Sequence, residues 1–267
     1  MQRLSPTLGI IESGRNCRNF VEDNMSVFWD VFKPLLPYLV GLYLFDLLLF
    51  VLFDIPAAIG SLISSYFMGA LAITWHRVVL HGPDRYEPMN PLKPQKHELI
   101  FMLMLVGLCL ASVIFMFALF FLSAAILPEG SMSIMLAIFA SIVFLYFIVS
   151  RLSFYFPAKA VGADLSLIEA FKLSEGFVWK VVLTPMCATW KVLLKLIIVI
   201  IPLSIVAALI ILPIGGSSEM VNMVMQIPML FYFSPLLTVL GITVLSNFYQ
   251  YALQYHGQDH SGETHID

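Results

Sequence analysis

Residues 35–53 read LLPYLVGLYLFDLLLFVLF, with Asp46 as the one acidic or basic residue in the run. A helix rises ~1.5 Å per residue and the hydrocarbon core of a bilayer is ~30 Å thick, so a stretch of about 20 apolar residues reads as one membrane crossing. Working outward, similar runs occur at Ala57–Trp75, Leu99–Leu127, Met132–Ser150 and Val192–Leu212. A last run lies within Met220–Leu253, where Pro228 and Pro235 interrupt it. It is too long for one simple crossing. The expectation there is a short kinked or interfacial piece, then a crossing over about 234–253.

Composition agrees. Of 267 residues, 60% are hydrophobic and 12% charged. Soluble domains carry about 25% charged residues, so this chain has too few to coat a water-soluble surface. That excludes a soluble globular enzyme and, at this hydrophobicity, a disordered chain. Three cysteines, Cys17, Cys109 and Cys187, cannot build a disulfide scaffold and are expected reduced and unpaired. A net charge of −3 has the wrong sign for binding nucleic acid. The expected fold is all-α: a polytopic membrane protein with six transmembrane helices plus interfacial amphipathic helices.

Charge sets the expected orientation. The short linkers 54–56, 128–131 and 213–219 contain no Lys or Arg. All 14 cations fall in residues 1–34, in the long linkers 76–98 and 151–191, or at Lys195. The positive-inside rule therefore places both termini and both long loops in the cytoplasm. The expected organisation is a cytoplasmic N-terminal segment (1–34), a six-span membrane domain (35–253) and a flexible cytoplasmic tail (254–267). No secretory signal peptide is expected, because the first apolar run starts well into the chain without a cleavage-site pattern. The external turns are too short to fold, which excludes an extracellular receptor or enzyme domain.

Residues 16–33 repeat with a helical period. Cys17, Phe20, Val21, Met25, Phe28, Val31 and Phe32 share one face, and Asn19, Glu22, Asp23, Ser26, Asp30 and Lys33 the other. The spacing predicts an amphipathic helix lying in the interface beside the first span and stopped by Pro34. The loop 76–98 carries four prolines, which favour extended turns. His76, His81 and His97 lie along it without a metal-ligand spacing, so no metal or cofactor is expected. In 151–191, Ser166 and Glu169 form a capping box that opens a short helix, with Gly176 as its C-terminal stop. Trp179, Lys180, Trp190 and Lys191 have the character of interface anchors.

In this loop, Arg151, Ser153, Pro157, Ala158 and Val161, followed by Leu167, Ala170, Phe171, Leu173, Ser174, Gly176, Trp179 and Lys180, resemble a segment of the YciC-like bacterial inner-membrane proteins. The segment is similar also to the membrane domain attached to some glycerophosphoryl diester phosphodiesterases. The resemblance implies a bacterial inner (cytoplasmic) membrane location and the same layout of an amphipathic N-terminal helix, about six spans and a cytoplasmic helix after the fourth. It implies no catalytic activity, and no phosphodiesterase domain is present.

Asp46 is costly at its depth unless paired or neutral. Its expected partners are Tyr43, Tyr66, Asn222, Gln226 or Asn247, and Asp46, Asn222, Gln226 and Asn247 form the candidate intramembrane polar site. Small residues at Gly60, Ser61, Ser64, Ser65, Gly69 and Ala70 predict close helix approach in the second span. Arg77, Arg85, Lys93, Lys96, Arg151, Lys159, Lys172 and Lys180 are the candidate cytoplasmic contacts to lipid headgroups or partners. No nucleophile motif, P-loop, zincin motif or dinucleotide fingerprint is present. The functional expectation is non-enzymatic: an accessory or scaffold subunit that binds membrane lipids and other membrane protein subunits or its own copies. The alternative is a small-solute or lipid transporter using Asp46 and the proline-broken helices five and six.

Overall fold

The computed structural model describes residues 3–53, 59–126, 132–214 and 217–260. The expected external turns 54–56 and 128–131, and His265 and Glu263 of the tail, lie outside the described residues. Within them the chain is helical and contains no strand. The helices are α1 (Ile10–Asp23), α2 (Met25–Phe32), α3 (Leu36–Phe53), α4 (Ile59–His81), α5 (Lys96–Ile126), α6 (Met132–Leu152), α7 (Tyr155–Ala160), α8 (Leu167–Leu173), α9 (Val178–Ile211), α10 (Ser218–Pro228) and α11 (Ser234–His260). Four segments of the described residues are long and apolar enough to cross a membrane: Met25–Phe53, Lys96–Leu119, Val178–Ile211 and Met220–Tyr255.

Several boundaries differ from expectation. The N-terminal helix begins at Ile10 and breaks at Asn24, whose side-chain amide donates to the Phe20 carbonyl (2.8 Å). Pro34 does not stop the chain. It sits early in the 3-10 turn Lys33–Leu35 that leads directly into α3, where its missing N–H costs no hydrogen bond. Helix α9 starts at Val178 and runs through Pro185 and Pro202, so all four predicted anchors of the second long loop, Trp179, Lys180, Trp190 and Lys191, lie on it. The tail is helical to His260.

Burial divides the helices lengthwise. Ala70–Val79 of α4 are all buried, as are Leu236, Val239, Leu240, Val244 and Phe248 of α11. Around them pack α1, α2, α7, the start of α5 and the first part of α9. Trp75 is the hub. Its ring meets Phe20 and Phe28 edge-on at 6.3 Å, and its indole N–H donates to the Thr243 hydroxyl (2.8 Å). A buried aromatic of this size contributes through area and through edge-to-face geometry. Elsewhere the same helices carry bare apolar side chains: Val40, Leu48 and Phe53 on α3, Leu103, Ile114 and Phe117 on α5, and Ile198, Ile205 and Leu209 on α9 are exposed.

Residues 234–253 fall within Met220–Tyr255, one of the segments long and apolar enough to cross a membrane. Much of α11 is enclosed by protein, and the exposed apolar side chains Met220, Ile227, Met229 and Tyr232 precede it. Hydropathy scores a helix by what it excludes from water, and cannot separate lipid from a protein core. Helix α1 differs from expectation in its neighbours. Cys17, Phe20 and Val21 are buried as predicted, but against α9 and α11 of the same chain. Gly14 permits that crossing: a Cβ there would lie 2.7 Å from Cys187 Cβ and 3.1 Å from its backbone. Burial pushes the Cys17 thiol up to about 12, so it is inert.

Candidate functional site: a crevice between α3, α4 and α11

Asp46 projects from α3 toward the start of α4. Its Oδ1 accepts the Gly60 N–H at 2.9 Å, and the side chain is 93% buried (7% exposed). The first N–H groups of a helix lack intrahelical partners, and an acidic group there is favourable to the helix dipole. The sequence reading considered only side chains as partners; Asp46 instead acts as a remote cap on α4. Gly60 makes room for it, because a Cβ would lie 2.6 Å from Asp46 Cγ. The predicted small-residue contacts thus have two occupants: Asp46 at Gly60, and Met102 of α5 at Gly69, where a Cβ would approach Met102 Cε to 2.8 Å.

Of the predicted polar set, Asp46 and Gln226 come together. They line a cavity of about 300 Å³ with Tyr43, Ser64, Met229 and Ser234. Tyr43 donates its hydroxyl to the Met223 carbonyl (3.2 Å). Asn222 is exposed on α10 and does not line the cavity. Asn247 is elsewhere: its Oδ1 accepts the Thr7 N–H (3.0 Å) and its Nδ2 donates to the Thr7 carbonyl (2.9 Å), tying down the N-terminal segment. Tyr66 donates to the Pro91 carbonyl (2.6 Å). A π-helical turn, Met229–Phe233, follows Pro228 and precedes Ser234, and its residues form one wall. Proline removes a backbone donor and loosens the ladder at this point.

A second cavity of about 470 Å³ adjoins the first through Ser64, Leu230 and Ser234. Its walls are chiefly apolar, including Met68, Ala72, Phe101, Leu105, Phe156, Ile242 and Leu245. It ends at His76, whose Nδ1 lies 2.8 Å from the Ser246 hydroxyl.

The candidate cytoplasmic contacts divide. Arg77 is corrected: it faces inward. Its Nη2 meets Glu98 Oε1 at 2.7 Å and His97 Nε2 at 3.0 Å, while Nε donates to the Ala160 carbonyl (2.7 Å) and Nη1 to the Glu87 carbonyl (3.1 Å). Guanidinium has no acceptor, so His97 Nε2 accepts and carries no proton. Glu98 Oε2 accepts the Gln95 N–H (2.6 Å) at the start of α5. Together these contacts bind α4, α5, α7 and the proline-rich loop. That loop folds back along α4, since the Met89 N–H also donates to the Thr74 hydroxyl (3.0 Å). Arg85 lines a shallow cavity with His81 and Gln95. Lys93, Lys96 and Lys172 are exposed. Arg151 lies over the Phe171 ring (4.2 Å), Lys180 over Phe177 (5.5 Å), and Lys159 beside Asp164 (3.6 Å). The capping box forms: Ser166 Oγ accepts the Glu169 N–H (3.2 Å) and Glu169 Oε2 accepts the Ser166 N–H (2.7 Å), which holds the Glu169 carboxyl below its usual range. Gly176 takes φ +79°, a conformation that favours glycine, shortly after the helix ends at Leu173.

Four helices long and apolar enough to cross a membrane, among the described residues, fit a membrane protein. No protein-family model matches the chain, and the comparisons with curated proteins and with solved structures likewise gave no match.

Proposed function

We propose that the chain crosses a bacterial inner membrane six times, with both termini and both long loops in the cytoplasm, and that it acts by binding and not by catalysis. On this reading it is an accessory or scaffold subunit that holds lipid and partner membrane proteins, in a layout like that of the YciC-like proteins. The carrying observation is the lengthwise division of the helices. Helix α9 spans 34 residues, ~51 Å at 1.5 Å per residue, against a ~30 Å hydrocarbon core. The excess of ~20 Å corresponds to the part before Val192, which holds Trp179, Lys180, Trp190 and Lys191. Beyond Lys195 the remainder is apolar and mostly bare. The polar groups that could do chemistry are engaged in structure: Arg77 and Glu98 with each other, His76 with Ser246, and Asp46 with Gly60. Recovery from native membranes in mild detergent tests the reading. Co-purification of a defined lipid or membrane protein supports it; consistent recovery as a lone monomer overturns it.

One observation favours a second reading, transport. Asp46 and Gln226 share a cavity beside the proline-loosened π turn. Gradient-driven flux in proteoliposomes that Asp46→Asn abolishes would establish it.

A further inference from the structure

We propose that the crevice along α4 is a binding site for a single-chain amphiphile: a membrane lipid inserting one acyl chain, with a headgroup that donates hydrogen bonds. The proposal deepens the lipid-binding reading above and rests on it. Polarity changes along the crevice. At the Gly60 end stand Asp46, Gln226 and Tyr43, with Ser64 and Ser234 at the junction. Beyond the junction Met68, Ala72, Phe101, Leu105 and Leu245 form an apolar sleeve that His76 closes. From Gly60 to His76 is sixteen residues of α4, ~24 Å at 1.5 Å per residue, so the site is long and narrow. Cavities of about 300 and 470 Å³ lie within the usual ~300–1,000 Å³ range of ligand sites.

The two halves select different chemistry. Apart from Ser65 and Thr238, the walls beyond the junction are apolar up to His76, which suits a hydrocarbon chain and not a file of hydrated ions. At the polar end, the Asp46 carboxyl group, the Gln226 amide oxygen and the hydroxyl oxygens of Tyr43, Ser64 and Ser234 present hydrogen-bond acceptors. A headgroup with hydroxyl or amine donors is matched there. The Asp46 end lies on α3 among the exposed apolar side chains Phe45, Leu48 and Val51, and the His76 end reaches into the packed layer.

The full chain in detergent would be photolabelled with a long-chain monoacylglycerol bearing a diazirine in its tail, with the matching methyl ester as the donor-free comparison. Cross-linked peptides are read by mass spectrometry. The expected result is labelling of 68–72, 101–105 and 242–245 that unlabelled monoacylglycerol competes away, and at least tenfold weaker labelling by the methyl ester. Asp46→Ala should remove most of that preference. Ala72→Phe, or Thr238→Phe from the opposite wall if the first does not fold, should lower crevice labelling at least tenfold while labelling of 197–209 on α9 is unchanged. Equal, non-competable labelling of the crevice and α9, or no response to the filling variants, overturns the proposal alone. Absence of labelling on α9 as well overturns the membrane-lipid reading with it.

Discussion

Removing Glu98 should be among the most damaging single changes to this protein. Its side chain is 2% exposed and Arg77's 8%, with the charged atoms 2.7 Å apart. Breaking a buried pair by deleting one partner costs roughly 3–5 kcal/mol, because the remaining charge stays buried without compensation. Glu98→Leu leaves Arg77 with two carbonyls and His97 but no anion. Arg77→Leu should cost at least as much, since it strands Glu98 and also frees the Ala160 and Glu87 carbonyls. In the double variant no charge is left buried, so its loss should fall below that of Arg77→Leu alone and well short of the sum of the two singles. For a chain of this size ~1 kcal/mol corresponds to about 2–4 °C in Tm, so Glu98→Leu should lower Tm by roughly 6–20 °C. Thermal unfolding of the four proteins in detergent completes the cycle. A Glu98→Leu loss under ~1 kcal/mol, or a double variant showing the sum of the two singles, would refute the reasoning.

Three further outcomes follow from other contacts. Gly14→Leu should separate α1 from α9, because even a Cβ meets the Cys187 backbone at 3.1 Å; rapid reaction of Cys17 with a thiol reagent, unreactive in the parent, reads it out. Asn247→Leu removes both hydrogen bonds to Thr7, so protease should cleave the first ten residues faster while the rest of the protein keeps its Tm to within a few degrees. Glu169 is a stronger acid in the folded protein than its ordinary value of 4.5, owing first to the Ser166 N–H. Its contribution to α8 is therefore complete above about pH 4.5 and lost as pH falls through the lower folded value. A spin label at Ile168 should gain mobility on acidification below that range, and should show no such pH dependence in Glu169→Ala.

The local features were legible in sequence because they depend on spacing alone. The two faces of 16–33 follow the helical period, and the Ser166–Glu169 box needs only four consecutive residues. The small residues at Gly60 and Gly69 announced close approach, though not that Asp46 and Met102 would fill the space. What failed depends on distant partners. Hydrophobicity marked 234–253 and 57–75 as apolar runs, but not that Phe248 and Trp75 within them would be buried against protein. Arg77 read as a surface cation because its anion, Glu98, lies across a proline-rich loop with no periodic relation to it. Asn247 read as a partner for Asp46 because polarity inside an apolar run says nothing about which neighbour satisfies it. The crevice arises from α4 and the π turn meeting across more than 150 residues, and no motif encodes it.

The account depends most directly on which side of the membrane holds the two long loops. Single cysteines at Lys93, Lys172 and Ser217, in a chain otherwise free of cysteine, can be challenged with an impermeant thiol label on intact cells. Lys93→Cys and Lys172→Cys should stay unlabelled until the membrane is permeabilised, while Ser217→Cys should label at once. Immediate labelling of the first two would contradict the account.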